Sequence, residues 1–173
     1  AFKNLSSITY KLVPNLDWIF DGINELETIE SVTLYKNTSY ATPVGEAPSS
    51  AMVPKALSKI EKLKQFTVQF ENHLELNTDA LPKHSEQLTI KGLKGIIPGK
   101  TKRSATQVNI EHTPVSDLKA FYNVMDAQQM DLGKNNSYIA GESGFAFLKN
   151  PQNIKKYEYT GPAKNIAELL KTC

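Results

Sequence analysis

The segment 66–76, FTVQFENHLEL, constrains the fold of this chain more strongly than any other part of its sequence. Apolar side chains occupy every second position of the segment, with Asn72 as the one polar exception, and polar side chains lie between them. Successive side chains of a β-strand point to opposite faces of a sheet, so this alternation predicts a strand with one buried face. The predicted buried residues are Phe66, Val68, Phe70, Leu74 and Leu76.

Other segments have weaker patterns of the same two kinds. Six shorter strands are predicted, over 7–13, 30–36, 87–93, 104–112, 137–148 and 155–159. Four helices are predicted over 15–26, from 49 or 50 to 63, over 113–129, and from 162 onward. The third helix has the clearest start, with Thr113 at the cap and Pro114 at the first helical position.

The order of these segments predicts the fold class. Strands and helices do not alternate regularly, which argues against a doubly wound parallel sheet. No internal repeat is evident. The sequence therefore predicts one α+β domain over 1–173, with a mostly antiparallel sheet or sandwich of about seven strands and three to four short helices.

Composition limits the classes of function. The formal net charge of +2 gives no strong overall attraction to nucleic acid or to an anionic membrane. No apolar run approaches the ~20 residues that span a bilayer. Ala1 fits either removal of an initiator Met or cleavage of an export signal, so the compartment stays open. The single cysteine, Cys173, argues against an internal disulfide and against a cysteine-based zinc site.

The segment 95–101, GIIPGKT, is one residue shorter than the phosphate-binding loop G-x-x-x-x-G-K-[ST]. Pro98 removes one backbone N–H from any such loop, and the residues after Thr101 alternate like a strand. A phosphate loop needs a helix at that point. We interpret the segment as a turn that joins strands 87–93 and 104–112, without an anion cradle and without a nucleotide cofactor.

Five basic residues and no acidic residue lie within 91–103. One interpretation is a contact site for an acidic partner or a phosphate-bearing surface. The alternative is a solvated connection whose charges keep an exposed sheet edge soluble. The basic residues are Lys91, Lys94, Lys100, Lys102 and Arg103.

No group of residues predicts catalysis. His73 shares a strand parity with Glu71 and Glu75, an arrangement able to bind a metal but also common on solvent-facing strands. His84 and His112 have no partner set at triad spacing. Ser143 lies in GESGF, which lacks the second glycine of a nucleophile turn. We therefore predict a non-enzymatic protein without a metal or other cofactor.

The order of strand 104–112, helix 113–129 and strand 137–148 is similar to that of the helix-bearing sandwich of phage tail-tube subunits. This resemblance implies a structural subunit that contacts copies of itself, with 37–50 and 91–103 as inter-subunit arms. The predicted function is thus a structural or assembly role through protein–protein contacts. The alternative is an exported or periplasmic binding or inhibitor domain.

Overall fold

The computed structural model of this chain describes residues 4–11, 28–36, 53, 55–70, 74–131 and 156–158. Seven strands form one sheet in which every neighbouring pair is parallel, and their spatial order follows their order along the chain. These strands are β1 (Ser7–Lys11), β2 (Ser31–Lys36), β3 (Lys62–Phe70), β5 (His84–Lys91), β7 (Arg103–Glu111), β8 (Met125–Asp131) and β9 (Lys156–Glu158).

A second, smaller sheet is formed by segments that lie between strands of the main sheet in the sequence. It contains β4 (Glu75–Asn77) and β6 (Gly95–Ile97), which are also parallel, and a single bridge joins Ile96 to Val115. Between β3 and β8 the chain therefore winds as a solenoid, which leaves the main sheet after each strand and returns beside it. Leu63, Ser85, Ala105 and Ala127 occupy equivalent positions, so three successive coils are 22, 20 and 22 residues long.

Equivalent side chains of successive coils form the core. One buried column contains Val32, Phe66, Leu88, Val108 and Met130, and a second contains Leu34, Val68, Ile90 and Ile110. The equivalent residue in the smaller sheet is Leu76 in one coil and Ile96 in the next, both fully buried. In β3 and β7 the buried residues therefore follow the spacing apolar-x-x-apolar-x-apolar, while β5 has Ser85 at the first of these positions.

Short helical segments lie in the connections between the strands. Two 3₁₀ segments cover Lys55–Lys59 and Thr78–Ala80, and one α-helix, α1, covers Leu118–Val124. The Asp117 side chain caps α1 by accepting a hydrogen bond of 2.9 Å from the backbone N–H of Ala120. No helix within the described ranges is both long and apolar enough to cross a membrane.

The predicted fold class is wrong. The main sheet is parallel rather than antiparallel, and one α-helix with two 3₁₀ segments replaces the predicted three to four helices among the described residues. The internal repeat was also missed. Alternation of apolar and polar residues reports that one face of a strand is buried, but it carries no information about the direction of the neighbouring strand.

Individual elements were predicted with mixed success. Strands 7–13, 30–36, 87–93, 104–112 and 155–159 overlap strands of the main sheet. The eleven-residue strand is instead divided between β3 and β4, which lie in different sheets, although its five predicted apolar residues are all buried. Within the helix predicted from 49 or 50 to 63, the described residues form a 3₁₀ segment over Lys55–Lys59, and Leu63 already belongs to β3.

The helix predicted over 113–129 is largely wrong. The observed helix covers Leu118–Val124, and β8 begins at Met125 and runs parallel to β7. Thr113 does not cap the helix; it is buried, and its hydroxyl accepts the backbone N–H of Leu93. The order strand, helix, strand is present with different bounds, but β7 and β8 are parallel neighbours in one sheet, so the described residues do not form a tail-tube-like sandwich here. The predicted helices 15–26 and from 162, strand 137–148 and loop 37–50 lie outside the described residues.

Candidate functional site

The outward face of the main sheet has a regular polar pattern. Gln65, Gln87, Gln107 and Gln129 are aligned in register on β3, β5, β7 and β8. Each precedes a buried residue of the core column, so the alternation of the strand directs its side chain outward. Strands of a sheet lie about 4.8 Å apart, and this distance sets the spacing of the four carboxamides. We call these residues the glutamine ladder.

A second polar column runs beside the glutamine ladder, two residues further along each strand. Thr33, Thr67 and Thr89 are aligned on β2, β3 and β5, and all three are at least partly exposed. Asn109 and Asp131 continue the column on β7 and β8. On β3, β5 and β7 the outward face therefore carries two neighbouring columns of amide and hydroxyl groups.

A shallow groove of about 380 Å³ follows the glutamine ladder across the strands. Its charged residues are paired with neighbouring coils: Lys64 Nζ lies 2.6 Å from Glu30 Oε1, and Lys62 Nζ lies 3.0 Å from Glu86 Oε1. The groove is thus close to neutral. It is lined by Lys64, Gln65, Glu86, Gln87, Thr106, Gln107 and Gln129.

These ion pairs shift the titration of the groove residues. The hydrogen bond from Lys62, followed by its charge, lowers the pKa of Glu86 below its usual value. The hydrogen bond to Glu30, followed by the charge of that carboxylate, raises the pKa of Lys64. Both shifts favour the charged forms of the two side chains.

The segment 95–101, predicted to be a turn without an anion cradle, contains β6 followed by backbone amides that hold a carboxylate; we call these amides the cradle. The backbone N–H groups of Lys100 and Thr101 both donate to the Asp79 carboxylate, at 3.0 and 2.8 Å from Oδ1. The N–H of Gly99 donates to Thr78 Oγ1 at 2.7 Å. A side chain at Gly99 would overlap the Asp79 carboxylate, so only glycine allows this approach. The cradle of one coil therefore holds a carboxylate of the preceding coil.

The cradle keeps Asp79 ionised. Partial burial is the largest single influence and raises the pKa of Asp79, but the amide hydrogen bonds from Thr101 and Lys100 act in the opposite direction. The hydroxyl of Thr101 and the charge of Arg103 add to their effect, and the pKa of Asp79 lies below its usual value. No helix follows the cradle, since β7 begins at Arg103, so the context of a nucleotide loop is absent here.

The five basic residues predicted as an interaction site have different surroundings. Lys91 pairs with Glu111 at 3.4 Å, and Lys94 pairs with Glu75 at 3.2 Å. Arg103 is buried and donates to the backbone oxygen of Asp79 at 2.8 Å. Lys100 and Lys102 are exposed and form no ion pair with another described residue. The basic segment thus presents two unpaired ammonium groups rather than five cations.

The residues considered for catalysis do not come together. His84 Nδ1 lies 2.7 Å from Ser104 Oγ on the neighbouring strand. His112 has a positive φ of 49° where the chain leaves β7. The described residues contain no group of three or more histidine, cysteine or acidic side chains able to hold a metal. Glu71, His73 and Ser143 lie outside the described residues.

The glutamine ladder was not predicted, although the sequence contains a signal for it. Gln-apolar-polar-apolar occurs at 65–68, 87–90, 107–110 and 129–132, each time with Thr, Asn or Asp at the third position. Asp79 was missed for a different reason, because no local pattern connects it with a loop that begins sixteen residues later.

Comparison of the chain with protein-family models, with curated proteins and with solved structures found no match.

Proposed function

We propose that this protein is non-enzymatic and acts as an assembly or binding subunit, through contacts of its outward sheet face with another protein. Copies of itself are included among these partners. The single observation that carries the proposal is the register of the glutamine ladder, which repeats the same polar group on four neighbouring strands. A surface that repeats at a fixed spacing suits an extended partner better than a small molecule.

The surface chemistry supports contact rather than reaction. The groove is shallow and lined by carboxamides, a threonine and internally paired charges. A hydrolytic or transfer site needs a nucleophile or a general base held close to groups that stabilise developing charge. His84 lies beside the hydroxyl of Ser104, as a base lies beside a nucleophile. Among the described residues, no third side chain forms a hydrogen bond with this pair.

The two unpaired lysines suggest a secondary contact. Lys100 and Lys102 lie in the turn before β7 and leave two ammonium groups for an acidic or phosphate-bearing partner. Exposed charges of this kind act mainly on the rate of association and its dependence on salt. We therefore place the specific contact on the sheet face and assign these lysines an auxiliary role.

Solution size tests the proposal and separates its two forms. Sedimentation of the purified chain over a range of concentrations is expected to show a defined assembly, and Gln87→Arg is expected to weaken it. Ile97→Arg, which adds the same charge to an exposed residue of the smaller sheet, serves as the matched control.

The result also decides between an assembly subunit and a binding domain. A chain that stays monomeric at all concentrations supports the alternative of a binding domain with a different protein as its partner. Assembly that Ile97→Arg abolishes and Gln87→Arg leaves intact would place the contact on the smaller sheet and contradict the proposed surface.

A further inference from the structure

The glutamine ladder presents hydrogen-bonding groups that are not consumed by the fold. A glutamine carboxamide has two N–H donors and one carbonyl acceptor. Within the described residues the carboxamides of Gln65 and Gln87 form no hydrogen bond, and both side chains are exposed. Gln107 donates to Asn109 Oδ1 at 3.1 Å, which leaves a second N–H on the same nitrogen. The ladder therefore offers a row of donors to an acceptor-rich ligand.

The charge of the groove restricts the ligand. Lys64 and Glu86 line the groove, but each is neutralised by a partner on a neighbouring coil. A strongly charged ligand would have to displace these pairs or leave its own charge without a partner. The complementary ligand is thus uncharged along the part that contacts the ladder.

The spacing of the ladder restricts the ligand further. Neighbouring glutamines are separated by one strand spacing of about 4.8 Å, so every second glutamine recurs after about 9.6 Å. A polyproline-II helix has three residues per turn and rises ~3.1 Å per residue, which gives a repeat of about 9.3 Å. Such a helix, laid across the strands, presents the same side to every second coil. Its carbonyl groups have no internal hydrogen bonds and point outward.

Other peptide conformations match the ladder less well. An extended strand repeats its same-side groups after about 6.8 Å, which agrees with neither one nor two strand spacings. An α-helix has a pitch of ~5.4 Å, which exceeds the strand spacing by about 0.6 Å, so its turns move out of register with the glutamines at each successive strand. Its backbone groups are also already paired with one another, so the carboxamides gain no main-chain contact.

We infer that the glutamine ladder binds an uncharged, proline-rich segment of a partner protein in the polyproline-II conformation, lying across β3, β5, β7 and β8. The glutamine side chains donate hydrogen bonds to backbone carbonyls of that segment, and proline suits this role because it lacks a backbone N–H. The preformed helix loses little conformational entropy on binding. The inference rests on the proposed function, since it names the partner of the same surface.

Titration of the chain with a synthetic oligoproline with blocked ends tests the inference, with chemical shifts of the side-chain carboxamides as the readout. Saturable shifts at the ladder are expected. Gln87→Glu keeps the shape of the side chain but removes its donors, and the loss of one such bond is expected to weaken binding about three- to tenfold. Gln69→Glu, on β3 and outside the groove lining, makes the same chemical change on an exposed residue and is expected to leave binding unchanged.

Three results would overturn the inference: no binding of oligoproline, equal weakening by Gln87→Glu and Gln69→Glu, or preferential binding of a neutral β-linked glucose oligomer. A flexible glycine–serine peptide of equal length is expected to bind more weakly, and equal binding would also contradict the role of a preformed helix. If oligoproline fails while Gln87→Arg still weakens assembly, the inference falls and the proposed function stands. If neither effect is seen, the inference falls together with the self-assembly form of the proposed function.

Discussion

Asp79 joins two successive coils through the backbone amides of the segment that follows β6. Its carboxylate accepts hydrogen bonds from Lys100 and Thr101, while its own backbone oxygen accepts one from Arg103. Hydrogen bonds to a charged acceptor are stronger than those between neutral groups. The segment that resembles a phosphate loop thus uses its backbone amides to hold an internal carboxylate.

Replacement of Asp79 is expected to destabilise the protein. Asp79→Ala removes the acceptor for both amides, and because these amides are then accessible to water the expected cost is about 1–2 kcal/mol. Asp79→Asn retains one oxygen acceptor and should cost less. Urea unfolding at neutral pH measures both changes. Asp126→Asn, at an exposed carboxylate of β8, is the control; an equally large effect there would contradict a special role for the cradle.

The stability contributed by Asp79 is expected to depend on pH in one direction. Because the pKa of Asp79 in the folded chain is lowered, the ionised form is favoured by folding. Its contribution is fully present above the unfolded-state pKa of about 3.9 and is lost as the pH falls through the lower folded-state pKa. Urea unfolding of the wild type and Asp79→Asn between neutral and acidic pH should therefore show a stability difference that shrinks below about pH 4. A constant difference would refute this assignment.

Gly99 and Asp79 are expected to be energetically coupled. Gly99→Ala places a methyl group against the carboxylate and should cost about 1–3 kcal/mol in the wild type. The same substitution should cost less in an Asp79→Ala background, where the obstructing atoms are gone. Gly95→Ala is the control, because its added carbon would meet only the backbone oxygen of Pro114 at 3.6 Å. Additive free energies of unfolding would contradict the coupling.

The strands are held together mainly by their buried columns, while the ion pairs between coils contribute little. Leu88 is 2% exposed and packs within the column that contains Phe66 and Val108. Glu86 precedes it by two residues and pairs with Lys62 on the outward face, where water screens the interaction. Removal of the Leu88 side chain should therefore cost much more stability than removal of the Glu86 charge.

Paired substitutions on β5 are expected to separate these contributions. Leu88→Ala should lower the free energy of unfolding by about 2–5 kcal/mol, because it leaves a cavity in the column. Glu86→Gln should leave the urea midpoint within experimental scatter. A large loss of stability in Glu86→Gln would show that the ion pairs, rather than the apolar columns, determine the association of the coils.

The sequence predicts strands much better than their partners. The patterns in 87–93 and 104–112 predict strands that overlap β5 and β7, because burial of one face is a local property of each strand. Strand direction and register depend on the chain between the strands, and here that chain returns each strand to the same end of the sheet. The Gln-apolar-polar-apolar motif contains the missing information, but coils of 20 and 22 residues and varied apolar residues obscure its period.

The whole molecule is expected to lose its structure locally before it unfolds globally. In a solenoid each coil contacts only its neighbours, so a defect spreads outward from the coil that carries it. In Leu88→Ala, amide hydrogen exchange should accelerate most in β3, β5 and β7 and least in β1. Uniform acceleration across the sheet would indicate a single cooperative unit and contradict this expectation.

The difference in length between coils has a consequence for how the outward face can change. Residues inserted or deleted between Ile97 and Arg103 would change the connection between the strands. The distance between Gln87 and Gln107 would stay the same, because backbone hydrogen bonds set the spacing of neighbouring strands. No substitution can stretch that interval. Substitutions can therefore change the side chains of this surface one at a time, but they cannot change the distance between its rows.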